Sequence, residues 1–373
     1  MKIVIASDSY KGSLSSKNVG KIIKKGLSSV LTEADISIIP IGDGGEGTVE
    51  AMIDATNGHF VSVDVSSPSM ISIRAQYGLS GDKETAFIEM ASASGLELVP
   101  LTQRNPYTAT TLGTGQLIKR ALDDNVKRII IGIGGSATND GGIGVASALG
   151  VKFLDFNGNV ITPNNRGIET LEYIDASGID SRLKDVEIIV ACDVNNPLTG
   201  KNGASYIYGP QKGADLALVE KMDKNLLKYA KIVERDVGVA IDQIPGAGAA
   251  GGLGAGLQAF VGANLRSGID IVLDYLDFDC KIKDADIIIT GEGCFDYQTV
   301  MNKAPYGVAR AAAKHGVKVI GISAVFGERA EKLLFNGFSS IFSVVNKVTD
   351  LNGAISHTEE NLYLLAKSIA GLI

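Results

Sequence analysis

The sequence predicts an α/β protein of two domains, one discontinuous in sequence and built on a mainly parallel sheet, the other a mixed-sheet domain inserted into it. Three observations lead there. Short runs rich in Ile and Val alternate with helix-period segments at both ends of the chain, while runs in the middle alternate apolar with polar residues. Glycine is also in excess, 45 in 373 residues against about 7 % in an average protein, and it clusters after the apolar runs.

Taken in order, residues 2–7 (KIVIAS) read as a strand, 18–31 as a helix, 36–40 (ISIIP) as a second strand, and 48–55 as a helix opened by a glycine cluster. This βαβα grammar belongs to a parallel sheet covered by helices. FVSVDVSS, ISIRAQYGLS and ETAFIEM then suggest an antiparallel meander, followed by strands at 127–134 and 186–194. The first grammar returns with strands at 287–290, 317–323 and 340–345, helical stretches around 308–314 and 330–335, and a last helix at 359–369. Residues 1–62 and 282–373 are therefore expected to form a flavodoxin- or Rossmann-like domain and 63–281 the mixed α/β domain, with a cleft between them.

Composition removes several function classes. The net charge is −7 and no basic run is present, which argues against affinity built on nucleic-acid phosphates or anionic lipid. Cys192, Cys280 and Cys294 lack a C-x-x-C spacing, and His59, His315 and His357 are far apart, so a zinc site is not expected. The apolar run IVIA is too short for a signal peptide, and no stretch of 18 apolar residues occurs. The expectation is a cytoplasmic protein with small-molecule partners, bound to neither nucleic acid nor membrane; a homo-oligomer is left open.

The chemistry is sought in six glycine-bearing loops, each read as following a strand: SDSYKGSLS, IGDGGEGT, GIGGSATNDGG, ACDVNNPLTGKNGA, PGAGAAGGLGAG and TGEGCFDYQT. Ligands of open α/β sheets bind beyond the carboxyl ends of strands, where loops lead into helix N-termini. Singly, each loop is explained by a tight turn or a helix cap, except GGSATNDGG, where two glycine pairs bracket polar residues and a carboxylate. Together they supply what phosphoryl transfer needs: backbone N–H groups, fixed cations (Lys11, Lys201, Lys212, Lys303) and carboxylates (Asp8, Asp43, Glu46, Asp140, Asp193, Glu292, Asp296). Walker and protein-kinase signatures are missing, and a G-x-G-x-x-G at Gly246, Gly248 and Gly251, with Asp270 about twenty residues on, is a weak dinucleotide fingerprint.

In order along the chain, SDSYKGSLS, DGGEGT, GGSATNDGG, DVNNPLTGKNGA, PQKGA, PGAGAAGG and GEGCFDYQT followed by KAPYGVA resemble the motifs of the bacterial type 1 glycerate kinases. The resemblance implies an ATP- and Mg²⁺-dependent kinase acting on a hydroxyl of D-glycerate, with the 2- and 3-hydroxyls both open. It also implies a two-domain fold with one flavodoxin-like part. Three departures stand out: Cys294 where the family usually has Arg, Asn302 for Gly, and Gly42 for Ala. An Arg fork is not replaced by a thiol.

On that reading Lys11, Ser9 and Ser13 could hold the substrate, together with Asp43, Glu46, Gln298 and Lys303; Lys11 reads equally well as a solvated loop lysine. Asp8, at a strand end, is a catalytic or Mg²⁺-holding candidate that could instead cap the next helix. Gly134, Gly135, Ser136, Thr138 and Asn139, with Gly248, Gly251 and Gly252, are the nucleotide-binding candidates, and Asp140 and Glu292 the metal candidates. Asp193 and Asp296 are alternatives for the general base. The rival readings are an NAD(P)-dependent oxidoreductase acting on a small hydroxy acid and a relative that binds ligand without catalysis.

Overall fold

The computed structural model describes residues 1–373 except Glu46. The chain divides into two compact units, Met1–Asn57 with Ser267–Ile373, and Gly58–Arg266.

The first unit holds a five-stranded sheet in the order Ser340–Ser343, Lys318–Phe326, Ile287–Phe295, Lys2–Ile5, Asp35–Ile38, parallel throughout. Numbered within the unit this is 2-1-3-4-5, the flavodoxin-like order. Ile3, Val4 and Ile5 are fully buried, as a central parallel strand covered on both faces requires. One face packs against the helices Ser16–Ser28 and Thr358–Ala370, whose inward residues Val19, Ile23, Leu27, Leu362 and Ala366 share a core with Ile3, Ile5 and Ile289. Helix Ala304–Lys314 begins with Pro305 in its first turn, where the missing N–H costs no bond.

The second unit has a six-stranded sheet in the order Asn264–Arg266, Glu187–Ala191, Arg128–Gly132, Thr85–Glu89, Ser72–Leu79, His59–Ser66. Its first four strands are parallel and the last two antiparallel, so the sheet is mixed. The meander read from the sequence is antiparallel over these last two strands and Thr85–Glu89, after which pairing turns parallel. Lys152–Leu154 and Tyr173–Asp175 form a separate antiparallel pair.

Two loops differ from their reading: the first six residues of TGEGCFDYQT continue the strand Ile287–Phe295, so Glu292 lies within it. PGAGAAGGLGAG does not follow a strand, and most of it lies in the helix Ala249–Val261. Ala250, Gly251 and Gly252 near its start are left-handed, with φ of 53°, 70° and 91°. Beyond them Gly254 and Gly256 are helical and leave no space for side chains, since a Cβ would stand 2.4 Å from Gly246 O at the first and 2.5 Å from Gly141 O at the second. Residues 330–335 form a 3-10 turn instead of an α-helix. Among the described residues no helix is long and apolar enough to cross a membrane.

Candidate active site

In a 2-1-3-4-5 sheet the strand order reverses between the first and third strands of the unit, here Lys2–Ile5 and Ile287–Phe295, and a crevice forms outside their carboxyl ends. The sequence places acid there. The backbone N–H of Asp8 donates to Gly291 O at 2.8 Å, which brings Asp8 alongside Glu292. Only glycine fits at 291, since a Cβ would stand 1.9 Å from Ile322 O. The turn after Asp8 is anchored by Tyr10, whose buried hydroxyl donates to Ile322 O at 3.0 Å. Ser16 ties the two neighbouring strand ends together, donating to Ser7 O at 2.6 Å and accepting from Ile41 N–H at 3.0 Å.

A cavity of about 380 Å³ opens over these ends. Its polar lining includes Asp8, Ser9, Lys11, Asp43, Glu292 and Lys303, its apolar lining Val325, Val344, Leu351 and Ile355; Ser13 and Cys294 also line it. Asp8 is 8 % exposed. Burial, reinforced by the negative charges of Asp43 and Glu292, pushes its carboxyl from 3.8 up to about 8, although the Ser9 N–H donates to Oδ1 at 2.6 Å. Burial also raises Glu292, which accepts from the Thr299 hydroxyl at 2.7 Å and lies 3.3 Å from Lys303 Nζ. Three carboxyl groups and two lysines thus line one cavity, and the donors are hard oxygens.

Around this group the other candidates fall as follows. Asp296 is 3.8 Å from Lys303 Nζ, and its Oδ1 accepts the Gln298 N–H at 2.8 Å, closing the turn before the helix. The Gln298 side chain is exposed and reaches Tyr297. Asp43 accepts the Gly45 N–H at 3.0 Å, and Glu46 lies outside the described residues. The Cys294 thiol is raised by burial and by Asp296, so it stays protonated and supplies none of an arginine's charge.

In the second unit, GGSATNDGG follows the strand Arg128–Gly132. Gly134 and Gly135 are exposed, whereas Ser136, Thr138, Asn139 and Asp140 are buried. Asp140 is spent on structure: it accepts the Thr111 N–H and hydroxyl, both at 2.8 Å, and the N–H groups of Gly142 at 3.1 Å and Gly144 at 3.3 Å. These bonds fasten the starts of helices Leu112–Asp123 and Ile143–Ala148. Asn139 Oδ1 accepts from Ser205 at 3.0 Å. Gly248, Gly251 and Gly252 are buried, and a Cβ on Gly251 would stand 2.0 Å from Thr138 O. They serve close packing of backbone, and the dinucleotide fingerprint lacks its preceding strand. Asp193 is exposed just past the strand Glu187–Ala191. Asp140 and Glu292, paired as metal candidates, belong to different units, and no three His, Cys, Asp or Glu among the described residues form a metal cage.

Lys212 has a larger part than its sequence reading as one cation among several. It is 2 % exposed, and Nζ donates to Ser136 Oγ and Thr138 O, both at 2.7 Å. Burial lowers it from 10.5 to about 7, against the opposing pull of Asp140. The unfolded chain therefore binds the extra proton between about pH 7 and 10.5, and stability rises with pH across that window. The cost of the buried charge is present in full below pH 7. Denaturant midpoints of the protein should show this group adding about 2 kcal/mol between pH 7 and pH 9, and Lys212→Met should lose that part of the slope. An unchanged slope in the variant would remove Lys212 as its source.

A parallel sheet with carboxylates and lysines gathered at its switch point defines an α/β enzyme acting on a small charged substrate. The chain belongs to the glycerate kinase family, whose model matches residues 3–373, and it is accordingly a phosphotransferase. A glycerate kinase of Bacillus cereus is 48 % identical over 372 residues, covering 100 % of this chain and 98 % of its own. A glycerate 2-kinase of Escherichia coli is 48 % identical over 373 residues with the same coverage. A crystal structure from Salmonella typhimurium LT2, described as glycerate kinase 2, matches with a TM-score of 0.93 at 49 % identity, covering 100 % of this chain and 98 % of that one.

Proposed function

We propose that the protein phosphorylates the 2-hydroxyl of D-glycerate with ATP and Mg²⁺. The observation that carries this is the group Asp8, Asp43, Glu292, Lys11 and Lys303 around one cavity at the switch point. Family membership supports glycerate as acceptor and ATP as donor, and the Escherichia coli relative's name, glycerate 2-kinase, favours the 2-hydroxyl.

Each demand of the reaction finds a group. Lys11 and Lys303 offer cations to the glycerate carboxylate, with the Ser9 and Ser13 hydroxyls as donors to its polar atoms. Asp43 and Glu292 fit Mg²⁺, which needs one or two carboxylates plus waters and substrate phosphates and no full protein cage. When bound, the cation neutralises charge on the transferring phosphoryl group. Asp8 takes the hydroxyl proton. Supporting Asp8 is its place in the cavity lining, which neither Asp296 nor Asp193 shares; Asp296 is engaged in its turn. The second unit, taken by itself, offers an anion site: the exposed backbone at Gly134 and Gly135, continued into Ser136 and braced by Lys212, suits the phosphates of ATP. Cytoplasmic location follows as part of this reading.

Incubated with ATP, Mg²⁺ and D-glycerate, the protein should release ADP in proportion to glycerate and form 2-phosphoglycerate, identified by phosphorus NMR. Formation of 3-phosphoglycerate would correct the regiochemistry, and the absence of glycerate-dependent ADP would sink the proposal. Turnover of NADH with hydroxypyruvate is the outcome expected of the oxidoreductase reading.

A further inference from the structure

We propose that a second cavity, beside the glycine loop of the second unit, takes the base and ribose of a purine nucleoside triphosphate; this rests on reading that loop as the cradle for the donor's phosphates. The cavity has a volume of about 310 Å³, at the small end of the range for ligand sites, roughly 300–1,000 Å³. Its lining is mixed: Met70, Leu96 and Val99, with Ala137 from the loop, make an apolar patch, and polar residues including Arg104 and Asn105 make up the rest. Apolar walls suit a planar ring, and Arg104 can stack on it or meet its phosphates.

Continuity with the loop selects the ligand. Leu96 N–H donates to Gly135 O at 2.8 Å and Ala137 N–H to Ser94 O at 2.9 Å, so the segment carrying Leu96 and Val99 is stitched to the loop as a short bridge. A ring lying on Leu96 and Val99 has its anionic end within reach of the exposed Gly134 and Gly135. The far side is tied in too. Gly213, next to Lys212, packs so closely on Arg104 O that a Cβ there would stand 2.6 Å away. Met70 at the rim is held at φ 61° by the turn in which its N–H donates to Ser67 O at 2.9 Å. A non-glycine residue keeps such a conformation only where its surroundings enforce it.

The test uses the full-length protein, ATP kinetics and the fluorescent analogue mant-ATP. Val99→Trp fills the cavity, and Arg104→Ala removes a half-buried side chain with little risk to folding. Both should raise the KM for ATP at least about tenfold and weaken mant-ATP to match, leaving the KM for D-glycerate within about twofold. Unchanged ATP and mant-ATP constants in a folded Val99→Trp variant overturn the proposal. If that variant does not fold, unchanged constants in Arg104→Ala do so alone. A wild-type protein that neither turns over ATP nor binds mant-ATP overturns the donor reading and this one with it, whereas wild-type-like ATP use by both variants overturns this one only.

Discussion

Asp8→Asn is expected to lower kcat by about 10² to 10⁴-fold, the range for loss of a positioned general base, while the KM for D-glycerate moves much less. The amide keeps the shape and can still accept the Ser9 N–H, but it cannot take a proton. A structural role for Asp8 would instead lower stability and leave the activity of the folded fraction intact. Stability measurements in the absence of divalent cation separate the two. Asp8 holds its proton up to about pH 8 in the folded protein and only to about 3.8 as an ordinary aspartate, so the native state binds more protons in between. Its contribution is complete below about pH 4 and is lost as pH rises through about 8. The variant should lack that decline, with melting temperatures at pH 5 and pH 8 closer together than in the wild type. A variant with full turnover removes Asp8 from the mechanism.

The second large effect concerns Gly251. An alanine there would set a Cβ 2.0 Å from Thr138 O and 2.6 Å from Asn139 Cα, at a φ of 70° that side chains rarely adopt. Since the contacts are backbone, no rotamer change relieves them. Gly251→Ala should destabilise the second unit by at least about 3 kcal/mol, seen by circular dichroism as an earlier thermal transition or as failure to fold. If Gly251 lay against nucleotide instead, the transition would stay in place and only the KM for ATP would rise.

How much of this was legible in the sequence depends on how local each signal is. KIVIAS, IIIT and VKVIGIS read correctly as strands because a buried parallel strand is apolar on both faces and needs no partner to be recognised, and SIFSVV was read as one too although its strand is a half-buried edge. The acids at their ends were legible as well: Asp8, Asp43 and Glu292, with Lys11 and Lys303, all line one cavity. Asp140 was harder. A carboxylate between glycine pairs looks the same in sequence whether it faces a metal or accepts from Thr111, which is 29 positions away. The run PGAGAAGGLGAG misled for a related reason, since glycine required by close packing of backbone is indistinguishable from glycine required by a loop. Lys212 carried one cue, its place in PQKGA, but its burial and its bonds to Ser136 and Thr138 join residues more than 70 positions apart. Thr299, which holds Glu292, had one cue, its place at the end of GEGCFDYQT.

The split of the parallel sheet across the chain also dictates an order of events during synthesis. Lys2–Ile5 and Asp35–Ile38 are made together and pair with each other, yet the second neighbour of Lys2–Ile5 begins only at Ile287. Gly58–Arg266 is continuous and carries its own core, so it can fold as soon as it has emerged. The N-terminal strands can meanwhile pair only with each other, and the other edge of Lys2–Ile5 stays open, exposed to aggregation until Ile287–Phe295 has been made. Asp8 and Glu292 meet only when Ile3 finds Ile287, closing a loop of more than 280 residues, and such closure is slow. Nascent chains stalled before this strand should carry a folded second unit and no active site, and refolding from denaturant should recover secondary structure well before activity.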